Sequence, residues 1–237
     1  MYVIQPMDEN DVAAVSRLER RCFSNPWPQS AYRRELRNPD QNFYIVLRRQ
    51  PESPNSHANG LDIPTWADDG SPTKFSRMAL FSRVRSGVVN TASGRSPRTV
   101  GFAGFWHVFD EAHVTTIAID PDLRGRSLGE LLLVALIEAA IDCGAGYLSL
   151  EVRVSNIVAI QLYEKYEFSI KGLRPKYYVD DGEDAYVMWS ENVRSAGFRA
   201  ALDARREQLE QSLGETANLP GRVQVPTPQP VAIDRSE

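Results

Sequence analysis

The arrangement of apolar and polar residues divides the chain into strand-like and helix-like segments around one long polar stretch. Short runs rich in β-branched and aromatic residues predict strands, and longer runs with apolar residues three or four positions apart predict helices. The predicted strands are Tyr2–Met7, Phe43–Leu47, Val100–Phe109, Val114–Ile119, Tyr147–Val152, Phe168–Tyr178 and Ala185–Ser190. The predicted helices are Asp8–Phe23, Gln29–Arg37, Glu130–Ile141, Ile157–Tyr166, for which Ser155 is a plausible N-cap, and Val193–Leu213. Strands and helices mixed in this way predict an α/β (α+β) fold.

The stretch Val114–Cys143 is the part around which we expect the chain to be organised. It predicts a strand buried on both faces, a polar turn and a mostly buried helix. The turn reads Arg124-Gly125-Arg126-Ser127-Leu128-Gly129. A helix N-terminus leaves N–H groups unpaired and attracts phosphate, while glycines allow close approach and arginines add charge. The turn is therefore either a phosphate site or an ordinary strand–helix connection, but it has neither P-loop nor Rossmann spacing.

Composition predicts three parts beside the main domain, which we assign to residues 1–192. Residues 50–98 are dominated by polar, glycine and proline residues, and we expect a disordered insertion. Its basic second half could touch RNA or simply be solvated. Residues 193–214 predict an added helix, which we expect to pack on its own domain. Residues 215–237 predict a disordered proline-rich tail.

Charge and cysteine content narrow the class of protein. The 237 residues carry a formal net charge of −4, which gives no general argument for nucleic-acid binding. Cys22 and Cys143 form no metal or redox motif and are consistent with a reducing cytosol. The first thirty residues contain too many acids for a secretory signal, and the longest apolar run, Leu131–Ile137, is too short to span a bilayer. We therefore expect a cytoplasmic protein without membrane partners.

Two sets of motifs resemble a known family. Residues 117–121, Ile-Ala-Ile-Asp-Pro, together with the turn at 124–129, resemble the acetyl-CoA motif of the GNAT N-acetyltransferases. Residues 150–156 and 159–164 are similar to the ribosomal-protein-alanine N-acetyltransferases of that superfamily. The resemblance covers most of Met1–Arg49 and Thr99–Asn192. It implies a mixed, mostly antiparallel sheet of six to seven strands, splayed between its central strands and flanked by helices. Ser127 departs from the glycine usual in the family, and its hydroxyl could cap the helix or touch a phosphate.

The resemblance also implies where acetyl-CoA binds. The pantetheine arm would bond to exposed backbone along the central strand, like an added strand, and the pyrophosphate would lie on the turn and helix start. The residues implied in cofactor binding are Ile117, Ala118, Ile119, Arg124, Gly125, Arg126, Ser127, Leu128, Gly129, Glu130 and Asn156. No metal site is expected.

Two residues are candidates for proton transfer. Glu151 is implied as a general base acting through water, more effectively if burial raises its pKa; alternatively it is a rim carboxylate paired with Arg153 or Lys176. Tyr163 is implied as the acid that protonates the leaving thiolate; alternatively it is a core tyrosine. No cysteine lies in the motif, which favours direct attack over an acetyl-cysteine intermediate.

The acceptor substrate is the part of the function that the sequence determines least. The resemblance implies a peptide N-terminus held by Trp27, Arg174 and Tyr177, although Trp27 could equally be a hydrophobic plug. The expected function is acetylation of the N-terminal α-amine, with alanine first, of a ribosomal protein. An acetyltransferase for another protein or a small-molecule amine remains open, as does a non-catalytic acyl-CoA-binding domain attached to ribosomes. We expect no direct nucleic-acid partner. His113, in Asp110-Glu111-Ala112-His113, is interpreted as a structural histidine at a strand edge.

Overall fold

The computed structural model describes residues 1–51, 97–214 and 217–218, so the predicted insertion and tail lie largely outside the described residues. Its strands are β1 (Tyr2–Pro6), β2 (Asn42–Arg49), β3 (Arg98–Val108), β4 (Glu111–Ile119), β5 (Tyr147–Arg153), β6 (Phe168–Arg174), β7 (Ala185–Ser190) and β8 (Ala217–Asn218). Its helices are α1 (Val12–Cys22), α2 (Gln29–Glu35), α3 (Leu128–Asp142), α4 (Ile157–Lys165) and α5 (Ala196–Leu213). Within the described ranges, no helix is both long enough and apolar enough to cross a membrane.

The eight strands found in the described residues form one sheet in the order β6-β7-β5-β4-β3-β2-β1-β8. Neighbours are antiparallel except at β4–β5 and β1–β8, which are parallel. The predicted mixed, mostly antiparallel sheet is therefore confirmed. The two-residue strand β8, which the sequence pattern did not predict, pairs with Tyr2 and Val3 at the edge of the sheet.

The two central strands separate soon after they meet. β4 and β5 pair only from Glu111 opposite Tyr147 to Val114 opposite Leu150. Beyond that point each strand keeps its partner on the other side, β3 for β4 and β7 for β5. The sheet thus opens in its middle without losing its outer halves, as the resemblance implied.

Apolar side chains alternate along the strands and build a core on each face of the sheet. The larger core contains α3, whose residues Leu131–Ile137 are almost completely buried. This agrees with the prediction of a helix apolar almost all round. Helix α5 packs on the same core through the predicted stripe of Phe198, Leu202, Leu209 and Leu213. The smaller core, on the other face, is covered by α1 and α2.

Two local predictions were wrong. Strand β6 ends at Arg174 rather than Tyr178, because Pro175 has no N–H to donate and Lys176 has a φ of +51°. The N-cap of α4 is Asn156, not Ser155. The Asn156 side chain accepts a hydrogen bond from the N–H of Ala159 at 3.3 Å, whereas the N–H of Ser155 donates to Glu183 at 2.8 Å. The turn before α4 therefore ends one residue later than the pattern indicated.

Candidate functional site

A cleft of about 560 Å³ lies where β4 and β5 diverge. The α1–α2 connection and the β6–β7 connection supply its other walls. Six of the predicted site residues line it: Trp27, Ile117, Glu151, Asn156, Tyr163 and Tyr177. The structure thus brings together residues that are up to 150 positions apart in the chain.

The last residues of β4 direct backbone groups into the split. The N–H of Asp120 donates to the carbonyl of Val100 at 2.8 Å, on the β3 side. Because neighbouring residues of a strand point their backbone groups to opposite sides, the N–H and C=O of Ile119 and Ile117 face away from β3. The thiol of Cys22 donates to the carbonyl of Ile119 at 3.4 Å. Ala118, by the same alternation, directs its backbone groups to β3.

The turn between β4 and α3 leaves backbone N–H groups at the helix start. The first intrahelical bond runs from the N–H of Leu131 to the carbonyl of Ser127 at 3.0 Å. The N–H groups of residues 128–130 (Leu, Gly, Glu) therefore have no acceptor within the helix. Arg124, Gly125 and Arg126 are exposed beside them.

Ser127 and Glu130 use their side chains differently from the expectation. Ser127 occupies the N-cap position with a left-handed φ of +55°, and its hydroxyl makes no capping hydrogen bond, so of the two roles offered for this hydroxyl the cap is wrong. The Glu130 carboxylate binds Lys165 Nζ at 2.5 Å and the Tyr166 hydroxyl at 2.7 Å. Only the backbone of Glu130 is thus left for an anion at the helix start.

A buried carboxylate fixes the entry to this turn. The side chain of Asp120 is 1% exposed and contacts Arg21 of α1 at 2.7 Å and Arg98 of β3 at 2.5 Å. Its other oxygen accepts from the N–H of Asp122 at 3.2 Å. A buried carboxylate with two cationic partners and a backbone donor holds the end of β4 in one position.

Glu151 lies at the point where the strands separate, with a side chain only 7% exposed. One carboxylate oxygen is 3.2 Å from His113 Nε2 and the other is 3.1 Å from an Arg174 guanidinium nitrogen. The hydrogen bond from His113 lowers the pKa of Glu151 below its ordinary value, against the effect of burial and with the help of Arg174. The alternative pairing with Arg153 or Lys176 is therefore wrong, and burial does not raise the Glu151 pKa overall.

Arg153 instead organises the β6–β7 connection. Its guanidinium binds Asp180 at 2.7 Å, Asp181 at 2.8 Å and Glu183 at 2.9 Å. The guanidinium also lies 3.9 Å above the ring of Tyr178. These contacts tie the connection to the end of β5, so the wall that carries Tyr177 and Tyr178 is held in place.

A row of rings forms the wall that carries Trp27. Trp27 is half-buried and stacks on Trp106 at 6.2 Å, and Trp106 stacks on His113 at 6.0 Å. Trp27 also packs against the smaller core, and its backbone N–H donates to Glu19 at 3.1 Å. It therefore acts as a hydrophobic plug and lines the cleft at the same time.

Tyr163 is half-buried in the cleft wall, with its ring 5.8 Å from that of Phe168. Burial raises the Tyr163 pKa, so the phenol keeps its proton at neutral pH and is a weaker acid than a free phenol. Tyr177 is more exposed and faces the Arg174 guanidinium at 5.5 Å. Arg174 reaches the site through Glu151 and Tyr177 and does not itself line the cleft.

The sequence analysis missed the part that His113 and Ser149 play. His113 lines the cleft and hydrogen-bonds Ser149 at 2.8 Å, so the interpretation of His113 as a strand-edge histidine is incomplete. The spacing of these residues along their strands could have indicated this role. Side chains two residues apart on a strand share a face. Glu111 and His113 therefore share a face of β4, and Ser149 and Glu151 share a face of β5. Only the register, His113 opposite Ser149, puts the two pairs side by side.

Known proteins resemble this chain in sequence and in fold. The model of the acetyltransferase (GNAT) family matches residues 62–168. A putative ribosomal protein bS18-alanine N-acetyltransferase of Bacillus subtilis is 31% identical over 186 residues, which cover 78% of this chain and 93% of that protein. The chain belongs to the GNAT acetyltransferase family. It is an acetyl-CoA-dependent acetyltransferase, as the resemblance implied.

A further relative and a solved structure come from Escherichia coli. The ribosomal protein bS18-alanine N-acetyltransferase of that organism is 45% identical over 116 residues, 48% of this chain and 78% of that one. A crystal structure of the ribosomal-protein-S18-alanine N-acetyltransferase from E. coli superposes with a TM-score of 0.57 at 25% identity, covering 83% of this chain and 96% of that one. The GNAT fold inferred from the motifs is thus confirmed.

The left-handed residues of the turn give a first prediction. Gly125 has a φ of +73°, and a Cβ added there would meet no atom within 4 Å, so Gly125→Ala should lower the free energy of unfolding by about 1–2 kcal/mol through backbone strain alone. Ser127→Gly should act in the opposite direction by about 1 kcal/mol, because Ser127 has the same strain and no capping bond to lose. Urea unfolding followed by circular dichroism measures both. Equal effects of the two substitutions would contradict the assignment.

The ion pair at Glu151 gives a second prediction. Arg174 favours the charged form of Glu151, so Arg174→Met should raise the Glu151 pKa toward the ordinary glutamate value near 4.3. The carboxylate would then become protonated at a higher pH on acidification. The carboxyl carbon resonance of Glu151, followed by NMR from pH 7 to pH 3, measures the change. Lys171→Met removes an exposed positive charge from the same strand and should leave the titration unchanged.

Proposed function

We propose that this enzyme transfers the acetyl group of acetyl-CoA to the N-terminal α-amine of a ribosomal protein that begins with alanine. The observation that carries the proposal is the buried carboxylate of Glu151 at the point where β4 and β5 separate, in a cleft with aromatic walls. The named activity of the relatives from B. subtilis and E. coli supports the same acceptor.

The split in the sheet fits the amide-bearing arm of acetyl-CoA. Backbone groups of Ile117 and Ile119 face the split and can pair with the pantetheine amides as an added strand would. The pyrophosphate would accept hydrogen bonds from the N–H groups of residues 128–130, beside the positive charges of Arg124 and Arg126. Asn156 lines the cleft, and its side-chain oxygen already caps α4. The NH2 group of the same side chain is left as a donor to the cofactor.

The acceptor amine must lose a proton before it attacks the thioester. An α-ammonium group has a reference pKa near 7.7–8.0, so its loss of a proton to solvent costs little near neutral pH, and Glu151 accepts that proton through a bridging water. A lysine side chain, with a pKa near 10.4, would cost about 3.5 kcal/mol more to neutralise. The lowered pKa of Glu151 keeps it ionised and ready to accept the proton.

Tyr163 is proposed as the donor to the departing thiolate. The phenol lies in the wall of the cleft and keeps its proton, because burial raises its pKa. It therefore stabilises the thiolate by hydrogen bonding as negative charge develops, and the proton follows once the carbon–sulfur bond breaks. A free cysteine thiol has a pKa near 8.5, so the leaving group needs this help near neutral pH.

The acceptor peptide is proposed to enter between the Trp27 wall and the β6–β7 connection. Trp27 and Tyr177 offer flat faces to an extended backbone, whereas a long lysine stem would need a deep apolar channel. Arg174 contributes indirectly, by pairing with Glu151 and facing Tyr177. All of these residues lie within 1–51 and 97–214, so we propose that the insertion at 50–98 is not required for chemistry.

The cofactor assignment is tested by Gly129→Asp. A carboxylate at the second helical residue of α3 would repel the pyrophosphate, and a Cβ added at this position meets only Ile119 at 4.0 Å, so the variant should fold. Calorimetric titration should show acetyl-CoA binding weakened at least tenfold. Gly197→Asp makes the same change at the second residue of α5, also in open space, and should leave the affinity unchanged. Equal affinities of the two variants would overturn the assignment.

The acceptor assignment is tested with a pair of peptides. A peptide that begins with a free alanine should be acetylated, and the same peptide with a blocked N-terminus and an internal lysine should react at least a hundredfold more slowly. Mass spectrometry of the products gives the site and the rate. Glu151→Gln should slow the reaction most at low pH, where deprotonation of the amine limits the rate. Comparable rates for the two peptides would refute an N-terminal acceptor.

A further inference from the structure

Four polar side chains form a continuous row from the cleft to the surface. Glu151 Oε2 lies 3.2 Å from His113 Nε2, and His113 Nδ1 lies 2.8 Å from the hydroxyl of Ser149. That hydroxyl in turn makes a short hydrogen bond to Glu111 Oε1. The row alternates between β5 and β4. Glu111, His113 and Ser149 lie in the four-residue stretch where these strands still pair, and Glu151 follows directly after it. The row is therefore held by the backbone ladder immediately below the cleft.

The two ends of the row differ in exposure. The side chain of Glu151 is 7% exposed, that of His113 is 28% exposed and that of Glu111 is 37% exposed. Ser149, in the middle, is buried. The row therefore connects a carboxylate shielded from water with one that water reaches.

With both carboxylates ionised and His113 neutral, the row has one hydrogen fewer than its three contacts can hold. Each contact needs one hydrogen, and Ser149 together with a neutral imidazole supplies only two. The third hydrogen can lie on Glu151, on His113 as an imidazolium, or on Glu111. All three arrangements place a hydrogen bond in each of the three contacts. They differ only in which atom of each contact is the donor. A proton that enters at Glu151 can thus pass along the row by short hops when His113 carries its own hydrogen on Nδ1, and the imidazole regains that tautomer before the next passage.

The surroundings favour movement of a proton outward. His113 is faced by Glu111 on its own strand, by Ser149 and Glu151 of β5, and by the ring of Trp106 of β3, which covers it at 6.0 Å. The guanidinium of Arg174, from β6, contacts only the Glu151 end of the row. A positive charge beside Glu151 disfavours a proton there, and the opposite end of the row has a carboxylate in contact with water.

We propose that Glu151 hands the proton that it takes from the acceptor amine to His113, Ser149 and finally Glu111, which releases it to water. The proposal rests on the proposed function for the source of the proton. An N–H bond of the ammonium group breaks and an O–H bond forms on Glu151, directly or through water. Transfer along the row then restores the Glu151 carboxylate, and water receives the proton from Glu111. Ser149 and Glu111 do not line the cleft, and all three residues beyond Glu151 act through its carboxylate as positioning residues.

The test measures repeated turnover of the alanine peptide, because the row restores the Glu151 carboxylate before the next amine is deprotonated. Ser149→Ala interrupts the row and His113→Gln keeps hydrogen-bonding groups but cannot carry a proton. Each should lower the rate at least tenfold, with KM for peptide and acetyl-CoA changed less than twofold. Ser169→Ala is the matched control, because it removes a buried hydroxyl that has no hydrogen-bond partner in the described part of the chain. Wild-type rates for Ser149→Ala and His113→Gln would overturn the proposal.

Chemical rescue separates proton transfer from packing. His113→Ala should recover at least tenfold in rate when imidazole is added, and the recovery should saturate with imidazole concentration. A folded His113→Ala variant that imidazole does not accelerate would assign His113 a packing role and overturn the proposal.

A third measurement needs no acceptor and keeps the two proposals apart. The ring nitrogen resonances of His113, assigned by loss of the signals in His113→Gln, should shift in Glu111→Gln and in Ser149→Ala but not in Ser169→Ala. Unchanged resonances in the first two variants would overturn the row. Failure of the wild-type enzyme to acetylate the alanine peptide would instead refute the proposed function.

Discussion

The early end of hydrogen bonding between β4 and β5 is the constraint on which the site depends. A buried backbone N–H or C=O without a partner costs about 1–3 kcal/mol, so two strands in the middle of a sheet can separate only where other groups or water satisfy them. Here the separation begins after Val114 and Leu150, and β3 and β7 keep the outer sides of both strands paired. The opening therefore creates a binding edge inside a sheet that remains intact.

Elements on both sides of the opening are held by charged contacts. Asp120 joins the end of β4 to Arg21 of α1 and Arg98 of β3, and Arg153 joins the end of β5 to the acids of the β6–β7 connection. Each contact links a diverging strand to the wall next to it. The walls of the cleft are consequently fixed to the two strands whose separation defines it.

The same opening decides the electrostatics of Glu151. Burial alone would raise its pKa, as is common for a base in an apolar pocket. Its contacts with His113 and Arg174 reverse that direction and keep the carboxylate ionised. A base of this kind binds a proton weakly, so transfer from an α-ammonium group to it is uphill and a route that carries the proton onward is useful. Tyr163 shows the opposite behaviour, because burial without a cationic partner raises its pKa and preserves its proton.

The sequence by itself determined the elements whose signals are local. The continuous apolar run of α3, the β-branched run of β4 and the stripe of α5 all fold as their patterns predict. The motifs also identified the family and singled out Glu151 and Tyr163. Such patterns predict structure well because they depend only on the spacing of apolar residues along one element. Burial of the apolar face requires that spacing wherever the element packs.

Only the tertiary structure decided the contacts between elements. The sequence analysis offered Arg153 or Lys176 as partners of Glu151, whereas the fold brings His113 from β4 and Arg174 from β6. It interpreted His113 as a strand-edge residue, yet the parallel register sets it beside Ser149 and completes a row to Glu111. The physical reason is that register and strand order are set by long-range pairing and packing over the whole sheet. The sequence around a charged side chain does not indicate which distant residue this packing will place beside it.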